Sequence, residues 1–378
     1  VNPCGKLSSK LKRILWFSWK DLSHPQAGGA EALKEQIARR LARDGYEVII
    51  LTSSFPGALA SEQREGYSII RRGGRLTVYW AAYRYYKKHL QGWADLVIDE
   101  VNTIPFFTKY YVQEKNILMV PQLARQIWFY QLFFPASLIG YFLEPVFLWF
   151  LNDRQVITIS DSTRNNLGHY GFRSDRISII RMGTDIKPIP DLSKGKKFQR
   201  PTMIAFGNIR PMKRTAHILQ AFELTKKEIE DLQLVLAGNA KGKYGQQVLS
   251  SVDRSPYRDS IQFLGSIDHS QKEELLQQCH IIVVTSVKEG WGLVVTEANS
   301  QGTPAVVYNV DGLRDSTRDG ETGVVTKTNT PEALARAIKN LIQDRDGYQE
   351  MRQNAWRWSK EITFDNGYCD FLKAVEGL

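Results

Sequence analysis

Two glutamates eight residues apart, Glu289 and Glu297, bracket the stretch Gly290-Trp291-Gly292-Leu293-Val294. Carboxylates accept hydrogen bonds from hydroxyls and repel anions, so the pair suits a neutral, hydroxyl-rich ligand. The two glycines let backbone N–H groups come close to that ligand. A helix beginning just after Gly292 offers unpaired N–H groups and the positive end of its dipole, which suits an anion. The stretch reads as a site for a polyhydroxyl compound with phosphates between the two carboxylates. Two glutamates at this spacing are common on solvated helices. Here they follow an apolar run that ends in Thr285-Ser286 and precede Gly302-Thr303-Pro304, which sets them apart. A second polar group, Asp99, Glu100 and Asn102, closes another apolar run and supplies candidates for contact with a second substrate. Asp344-Arg345-Asp346 imitates a metal-binding Asp-x-Asp, but it lies in a late polar stretch and reads as surface charge. No metal is expected.

These residues need elements that hold them at strand ends. Apolar runs at 13–17, 47–51, 95–98 and 155–159 alternate with helical patterns such as 30–44, which Gly45 closes. The segment 185–201 holds Pro188, Pro190, Gly195, Pro201 and a lysine cluster, and reads as a linker. The alternation restarts with strands at 203–206, 232–237, 261–264, 281–284 and 304–307. This predicts an α/β protein with two doubly wound domains facing across a cleft, ligands lying at the C-terminal strand ends. The expected layout is 1–185, a linker at 186–201, a second domain at 202–355, and a helical segment at 356–378 that crosses back. Neither half carries Gly-x-Gly-x-x-Gly after its first strand, which argues against a dinucleotide oxidoreductase.

The pattern Ser286-x-x-Glu289-Gly290-x-Gly292-Leu293-x-x-x-Glu297-Ala298 resembles the glutamate-x7-glutamate signature of family 4 retaining glycosyltransferases, of the bacterial polysaccharide-assembly type. Further marks are Gly28-Gly29-Ala30-Glu31, residues 159–164 and Gly183-Thr184-Asp185. The resemblance implies a GT-B fold of two Rossmann-like domains and transfer of a hexosyl group from a nucleotide-diphosphate sugar, UDP-glucose by family frequency. It implies that Glu289 meets sugar hydroxyls and that Glu297 holds the ribose. Backbone around Gly290, Trp291, Gly292, Leu293 and Val294 would meet sugar and diphosphate, with Gly28 and Gly29 beneath the diphosphate. In the loop Gly207-Asn208-Ile209-Arg210-Pro211-Met212-Lys213, Lys213 matches the family's lysine that neutralises the leaving diphosphate. Asn208 stands where the family has arginine, and Arg210 is the candidate replacement. Pro121 stands where the family has a histidine near the sugar, leaving Gln122 and Arg125 as candidates there. No cofactor is implied, since the nucleotide sugar is a substrate. The acceptor would be a glycan or a lipid-linked glycan. The alternative is a nucleotide-sugar or glycan-binding protein of the same fold with little or no transferase activity.

Composition narrows the partners. The chain has 378 residues, 43% of them hydrophobic, enough for two domain cores. Residues 1–185 carry 24 Lys/Arg against 16 Asp/Glu, which suits an anionic partner. No nucleic-acid motif accompanies the charge, and no nucleic-acid partner is expected. Residues 127–151 are very apolar and aromatic, and Pro135, Glu144 and Pro145 interrupt them. A buried glutamate in lipid is expensive, so a spanning helix is rejected. Core packing is expected for most of these residues; the alternative is a partly exposed apolar face that receives a lipid-borne acceptor, with an anionic membrane surface as a further partner beside the basic-aromatic stretch 84–89. Cys4, Cys279 and Cys369 are too few and scattered for a disulfide framework, which points to a reducing compartment. The basic start lacks the apolar core of a signal peptide. The expected place is the cytoplasm, with peripheral contact at the inner face of the membrane.

Overall fold

The computed structural model describes residue 4 and residues 11–376. The expectation of a basic start without a signal peptide falls largely outside them. The chain divides into two compact units, Val1–Gly183 with Phe364–Leu378, and Thr184–Thr363.

The first unit is built on an eight-stranded sheet. Its strands are β1 (Arg13–Phe17), β2 (Glu47–Thr52), β3 (Ser61–Arg64), β4 (Tyr67–Arg71), β5 (Leu96–Glu100), β6 (Lys115–Met119), β7 (Val156–Thr158) and β8 (Ile177–Ile179). Their order is β3-β4-β2-β1-β5-β6-β7-β8. Every pair is parallel except the β3–β4 hairpin. Ile14, Leu15, Trp16 and Phe17 are all buried, as expected of a central strand covered on both faces. The helices are α1 (Gly29–Arg43), α2 (Val78–Tyr85), α3 (Trp128–Gln131), α4 (Ala136–Leu151) and α5 (Asp161–Gly168). A C-terminal helix, Phe364–Glu376, packs on α1 and stacks Phe371 against Trp16.

That helix corrects the cysteine reading. It carries Cys369 back to Cys4, and the two form a disulfide with Cα atoms 4.9 Å apart. A separation of 365 positions had hidden the pair. The inference of a reducing compartment loses the support it drew from cysteine count. Cys279 is buried and free, its thiol pushed up to about 12 by burial.

The second unit has a six-stranded parallel sheet: β9 (Thr202–Phe206), β10 (Gln233–Ala237), β11 (Ile261–Gly265), β12 (Ile281–Val284), β13 (Ala305–Val307) and β14 (Gly323–Val325). The order is β11-β10-β9-β12-β13-β14. Its helices are α6 (Thr215–Lys226), α7 (Lys243–Asp253), α8 (His269–Gln278), α9 (Leu293–Ser300), α10 (Pro331–Gln343) and α11 (Arg345–Ser359). Phe222, Leu334 and Ile338 fill one face, and Ile282, Val295 and Leu313 the other. The segment expected as a linker is packed instead. Ile186 and Ile189 are buried, the Ile189 N–H donates to Ser300 O at 3.0 Å, and Lys197 Nζ donates to Cys279 O and Thr303 Oγ1, both at 2.6 Å. Its prolines forbid regular structure, but its apolar side chains still find a surface. Residues 356–363 likewise belong to this unit, and the chain returns to the first unit only at Phe364.

In both sheets the winding reverses beside the first strand, between β1 and β5 and between β9 and β12. Loops after those strands diverge and leave a crevice for a ligand. The motif residues occupy those loops.

Candidate functional site

In the second unit the loop after β9 and the loop after β12 lock together. The Val287 N–H donates to Met212 O at 2.9 Å, and Thr285 Oγ1 donates to Lys213 O at 2.8 Å. This brings Lys213 Nζ to 2.5 Å from Glu289 Oε1, which also accepts from Ser286 Oγ at 2.6 Å. Burial pushes the Glu289 carboxyl up. The Lys213 charge and hydrogen bond, the Ser286 hydroxyl and the nearby Arg210 outweigh it and hold the group below its ordinary value. Glu289 therefore stays ionised. Arg210, Asn208 and Gly207 are exposed around this pair.

Gly290, Trp291 and Gly292 lead into α9. Gly292 has φ +95°, and a Cβ there would lie 2.9 Å from Leu313 and Ser316 side-chain atoms. Only glycine fits that turn at the head of the helix. The Trp291 indole N–H donates to Thr296 Oγ1 at 2.9 Å, and the ring lies 6.3 Å from that of Trp358. Trp291 thus braces the turn with its side chain. Leu293 and Val294 open α9, where N–H groups lack intrahelical acceptors. One turn on, Glu297 Oε2 accepts from Lys272 Nζ of α8 at 2.5 Å. Gly238, with φ +146°, packs so closely on Gly207 that a Cβ would meet Gly207 O at 2.0 Å.

In the first unit Gly28 caps α1, and the Glu31 carboxylate accepts from Gly28 N at 2.7 Å and Asn102 Nδ2 at 2.9 Å. Lys20 Nζ lies 3.6 Å from the same carboxylate. The Gly28-Gly29 loop is therefore pinned to the end of β5. Two acceptor-side candidates are corrected by burial. Asp99 is wholly buried and accepts from Phe106 N, Thr108 N and Thr108 Oγ1. Glu100 is buried and pairs with buried Lys34 at 3.1 Å. Burial pushes the Asp99 carboxyl up; it pushes Glu100 up too, against the pull of Lys34. Both side chains face the core because they end a strand covered on both sides. Asn102, past the strand end, stays partly exposed.

Beyond β6, Gln122 is part-exposed, and its buried amide oxygen has no hydrogen-bond partner among the described residues. Arg125 is turned toward α4: its guanidinium stacks 4.1 Å over Tyr141 and donates to Tyr141 O at 3.1 Å. Glu144 explains its own presence in an apolar segment. It is buried and accepts from Ala124 N and Arg125 N, both at 2.7 Å, and from Trp128 Nε1 at 3.0 Å. Asp344 caps α11 through Gly347 N at 3.0 Å, a structural use for the Asp-x-Asp imitation. A concavity of about 470 Å3 lined by residues 112–117 and 153–155 lies at the starting ends of β6 and β7, away from the motif loops.

Sequence reasoning had given no role to Lys272, Ser286, Glu31 or Lys20. Glu31 was readable as the third helical residue of a capping box. Lys272 had no local signal, since only the fold brings α8 beside α9.

Two family models match the chain: Glycosyltransferase Family 4 over residues 27–187 and Glycosyl transferases group 1 over residues 191–358. Among curated proteins it is similar to the poly(glycerol-phosphate) alpha-glucosyltransferase of Bacillus subtilis, 26% identical over 181 residues, 48% of this chain and 26% of that protein. It is also similar to the N-acetyl-alpha-D-glucosaminyl L-malate synthase of Bacillus anthracis, 28% identical over 186 residues, 49% of this chain and 46% of the relative. The matched region thus spans a quarter to a half of those relatives. Among solved structures, sucrose-phosphate synthase from Thermosynechococcus elongatus aligns with a TM-score of 0.76 at 19% identity, covering 97% of this chain and 98% of that one. Anabaena HepE in complex with UDP and glucose aligns with a TM-score of 0.71 at 18% identity, covering 97% and 100%. The fold is GT-B.

Proposed function

The chain belongs to glycosyltransferase family 4, and we propose that it transfers a hexosyl group, with retention, from a nucleotide-diphosphate sugar to a glycan or lipid-linked glycan in polysaccharide assembly. The observation that carries this is the Lys213–Glu289–Ser286 cluster at the head of α9. It sets a cation, an ionised carboxylate and a helix N-terminus side by side, which is what a sugar diphosphate needs. The sugar–phosphate bond breaks toward the phosphate, and the diphosphate takes the electron pair. Lys213, Arg210 and the N–H groups around Leu293 neutralise the charge that develops, without a metal ion. Glu289 holds sugar hydroxyls, and Glu297 holds the ribose. The acceptor hydroxyl attacks from the face the diphosphate leaves and gives its proton to the departing phosphate oxygen, so no protein nucleophile is needed. Asn102 and the Gln122 amide, whose oxygen has no partner among the described residues, are the acceptor-side contacts. UDP-glucose is the leading donor, in keeping with the Anabaena structure solved with that compound.

The test is a screen of UDP-glucose, UDP-galactose, UDP-N-acetylglucosamine and GDP-mannose, each with excess chelator. Thermal stabilisation and slow release of free nucleotide are expected for one of them. Failure of every nucleotide to raise Tm would overturn the donor site, and activity that only magnesium restores would overturn the metal-free mechanism. Asn208 in place of arginine favours a second reading, a nucleotide-sugar-binding protein. Stabilisation without nucleotide release, with acceptors of both kinds present, would support it.

A further inference from the structure

Helix α4 is apolar all round apart from inward-facing Ser137 and Glu144. Ser137, Gly140, Glu144, Phe147, Leu148 and Leu151 face inward. Leu138, Ile139, Phe142, Leu143, Val146, Trp149 and Phe150 are exposed, and at 100° per residue they share one arc of about 140°. This corrects the expectation that most of residues 127–151 are core: the sheet can cover only one side of a helix. The loop before α4 adds Phe133 and Phe134, 93% and 80% exposed, and α3 adds Phe129 and Tyr130. At roughly 150–200 Å2 per large side chain, the exposed area is on the order of 1,000 Å2. An ordinary monomer's largest apolar patch is about 300–600 Å2.

The border of this face is basic and aromatic. Lys109 Nζ donates to Phe150 O at 2.7 Å in the last turn of α4. Next to it, exposed Tyr110 leads to Tyr111, which meets Tyr83 at 5.0 Å, and Tyr83 stacks on exposed Trp80. Lys87 Nζ donates to Tyr111 O at 3.0 Å, and Arg84 and Lys88 beside it are exposed. Asp153 pairs with Lys109 and Glu114 accepts from Tyr86 and Gly92 N, so the positive charge of the border rests on Arg84, Lys87 and Lys88. Among the described residues no helix is long and apolar enough to cross a membrane.

We propose that the outer face of α4, with the Phe133-Phe134 loop, is a docking surface for an anionic lipid bilayer, in which α4 lies in the interfacial plane. Apolar side chains with Trp and Tyr at the margin and cations behind them match that environment. A second copy of the chain would bring the same basic border, whereas an anionic bilayer brings the opposite charge. The surface belongs to the first unit and the Lys213–Glu289–Ser286 cluster to the second, so the two readings fail independently.

The experiment is co-sedimentation of the whole chain with phosphatidylcholine vesicles, with and without about 30% phosphatidylglycerol. Wild type should partition at least about tenfold more strongly onto the anionic vesicles. Phe133→Ser with Phe134→Ser should lower that partition about tenfold or more. Leu59→Ser, at an exposed apolar site elsewhere, should leave it unchanged, and Arg84→Glu with Lys88→Glu should remove the anionic preference. A cooperative melt without ligand reports that each variant is folded; a variant that loses it is replaced by the milder Phe142→Gln. Absence of wild-type binding to anionic vesicles overturns the proposal. So does binding that folded patch variants retain, or a wild-type dimer, seen by sedimentation velocity, that ignores vesicles and dissociates when the patch is altered.

Discussion

Removing Lys213 should have two effects that can be separated. Its ammonium sits 2.5 Å from Glu289, and the two side chains are 25% and 19% exposed. A charge-assisted hydrogen bond contributes about 1.5–3 kcal/mol, and partial exposure reduces that to about 1–2 kcal/mol. In a unit of this size that is roughly 2–8 °C in Tm. Lys213→Ala should therefore lower the Tm of the second unit by that amount. It should also lower turnover about a hundredfold, because one charge that stabilises the leaving diphosphate is gone. Adding Glu289→Gln removes the stranded carboxylate. The double variant should regain most of the stability and none of the turnover. The assays are calorimetry without ligand and single-turnover transfer with the true donor. If turnover returns together with stability, Lys213 only balances the charge of Glu289, and its role at the leaving group is refuted.

Arg210 adds its charge to the field at Glu289, whereas Arg214 lies over the ring of Tyr308. Arg210→Ala should lower turnover and Arg214→Ala should not, with Asn208→Arg partly rescuing the first; a silent Arg210→Ala would leave Lys213 and the helix N-terminus to act alone. Gly292→Ala forces a Cβ into Leu313 and Ser316 and should cost roughly 1–3 kcal/mol of stability together with nucleotide binding; an unchanged UDP affinity would mean that the turn does not meet the ligand. Glu297→Ala should weaken UDP itself, while Glu289→Ala should spare UDP and reduce transfer; equal losses of UDP affinity would remove the division between ribose and sugar contacts. His280 Nδ1 accepts from Thr202 N at 3.1 Å, and burial, aided by Lys197 and Arg352, pushes its pKa down to about 4. The unfolded chain then binds more protons between about pH 4 and 6.5, so stability should fall as pH drops through that window. His280→Asn, which keeps an acceptor but does not titrate, should flatten the slope in a pH series of urea melts.

Long central strands and glycine-flanked motifs were legible because local residues specify them. β12 is an unbroken apolar run and β1 is apolar after Arg13, and their bounds in the structure are those the sequence predicts. The β3 edge strand, Ser-Glu-Gln-Arg, carries no apolar signal and is held by its pairing with β4. The candidate site divides in the same way. The Glu289–Glu297 turn is one continuous segment, so its spacing announced it. Lys272 reaches Glu297 only through the packing of α8 on α9, and burial decides Asp99 and Glu100, which their place at a strand end did not reveal. Cys4 and Cys369 show the same limit at the longest range, since a returning helix sets their distance.

The pairing of both motif glutamates with lysines bears on which ligand the site selects. Glu289 holds Lys213, and Glu297 holds Lys272, each at 2.5 Å. A ligand that only accepted hydrogen bonds would draw a lysine away and leave a half-buried carboxylate without its partner, which is costly. A neutral glycan would offer hydroxyls to the carboxylates but no charge to the lysines. A nucleotide-diphosphate sugar supplies both, with hydroxyls on the hexose and ribose and anionic oxygens between them. Every group released from an ion pair then finds a replacement, and the exchange costs little. This favours a sugar nucleotide over a free glycan or a bare phosphate at this turn. It also assigns Lys272 a task that Lys272→Met would expose. Without the lysine, Glu297 should grip ribose hydroxyls less selectively against a phosphate-free nucleoside. The ratio of UDP to uridine affinity should therefore fall in that variant. A ratio unchanged from wild type would show that Lys272 only balances the charge of Glu297 and takes no part in choosing the ligand.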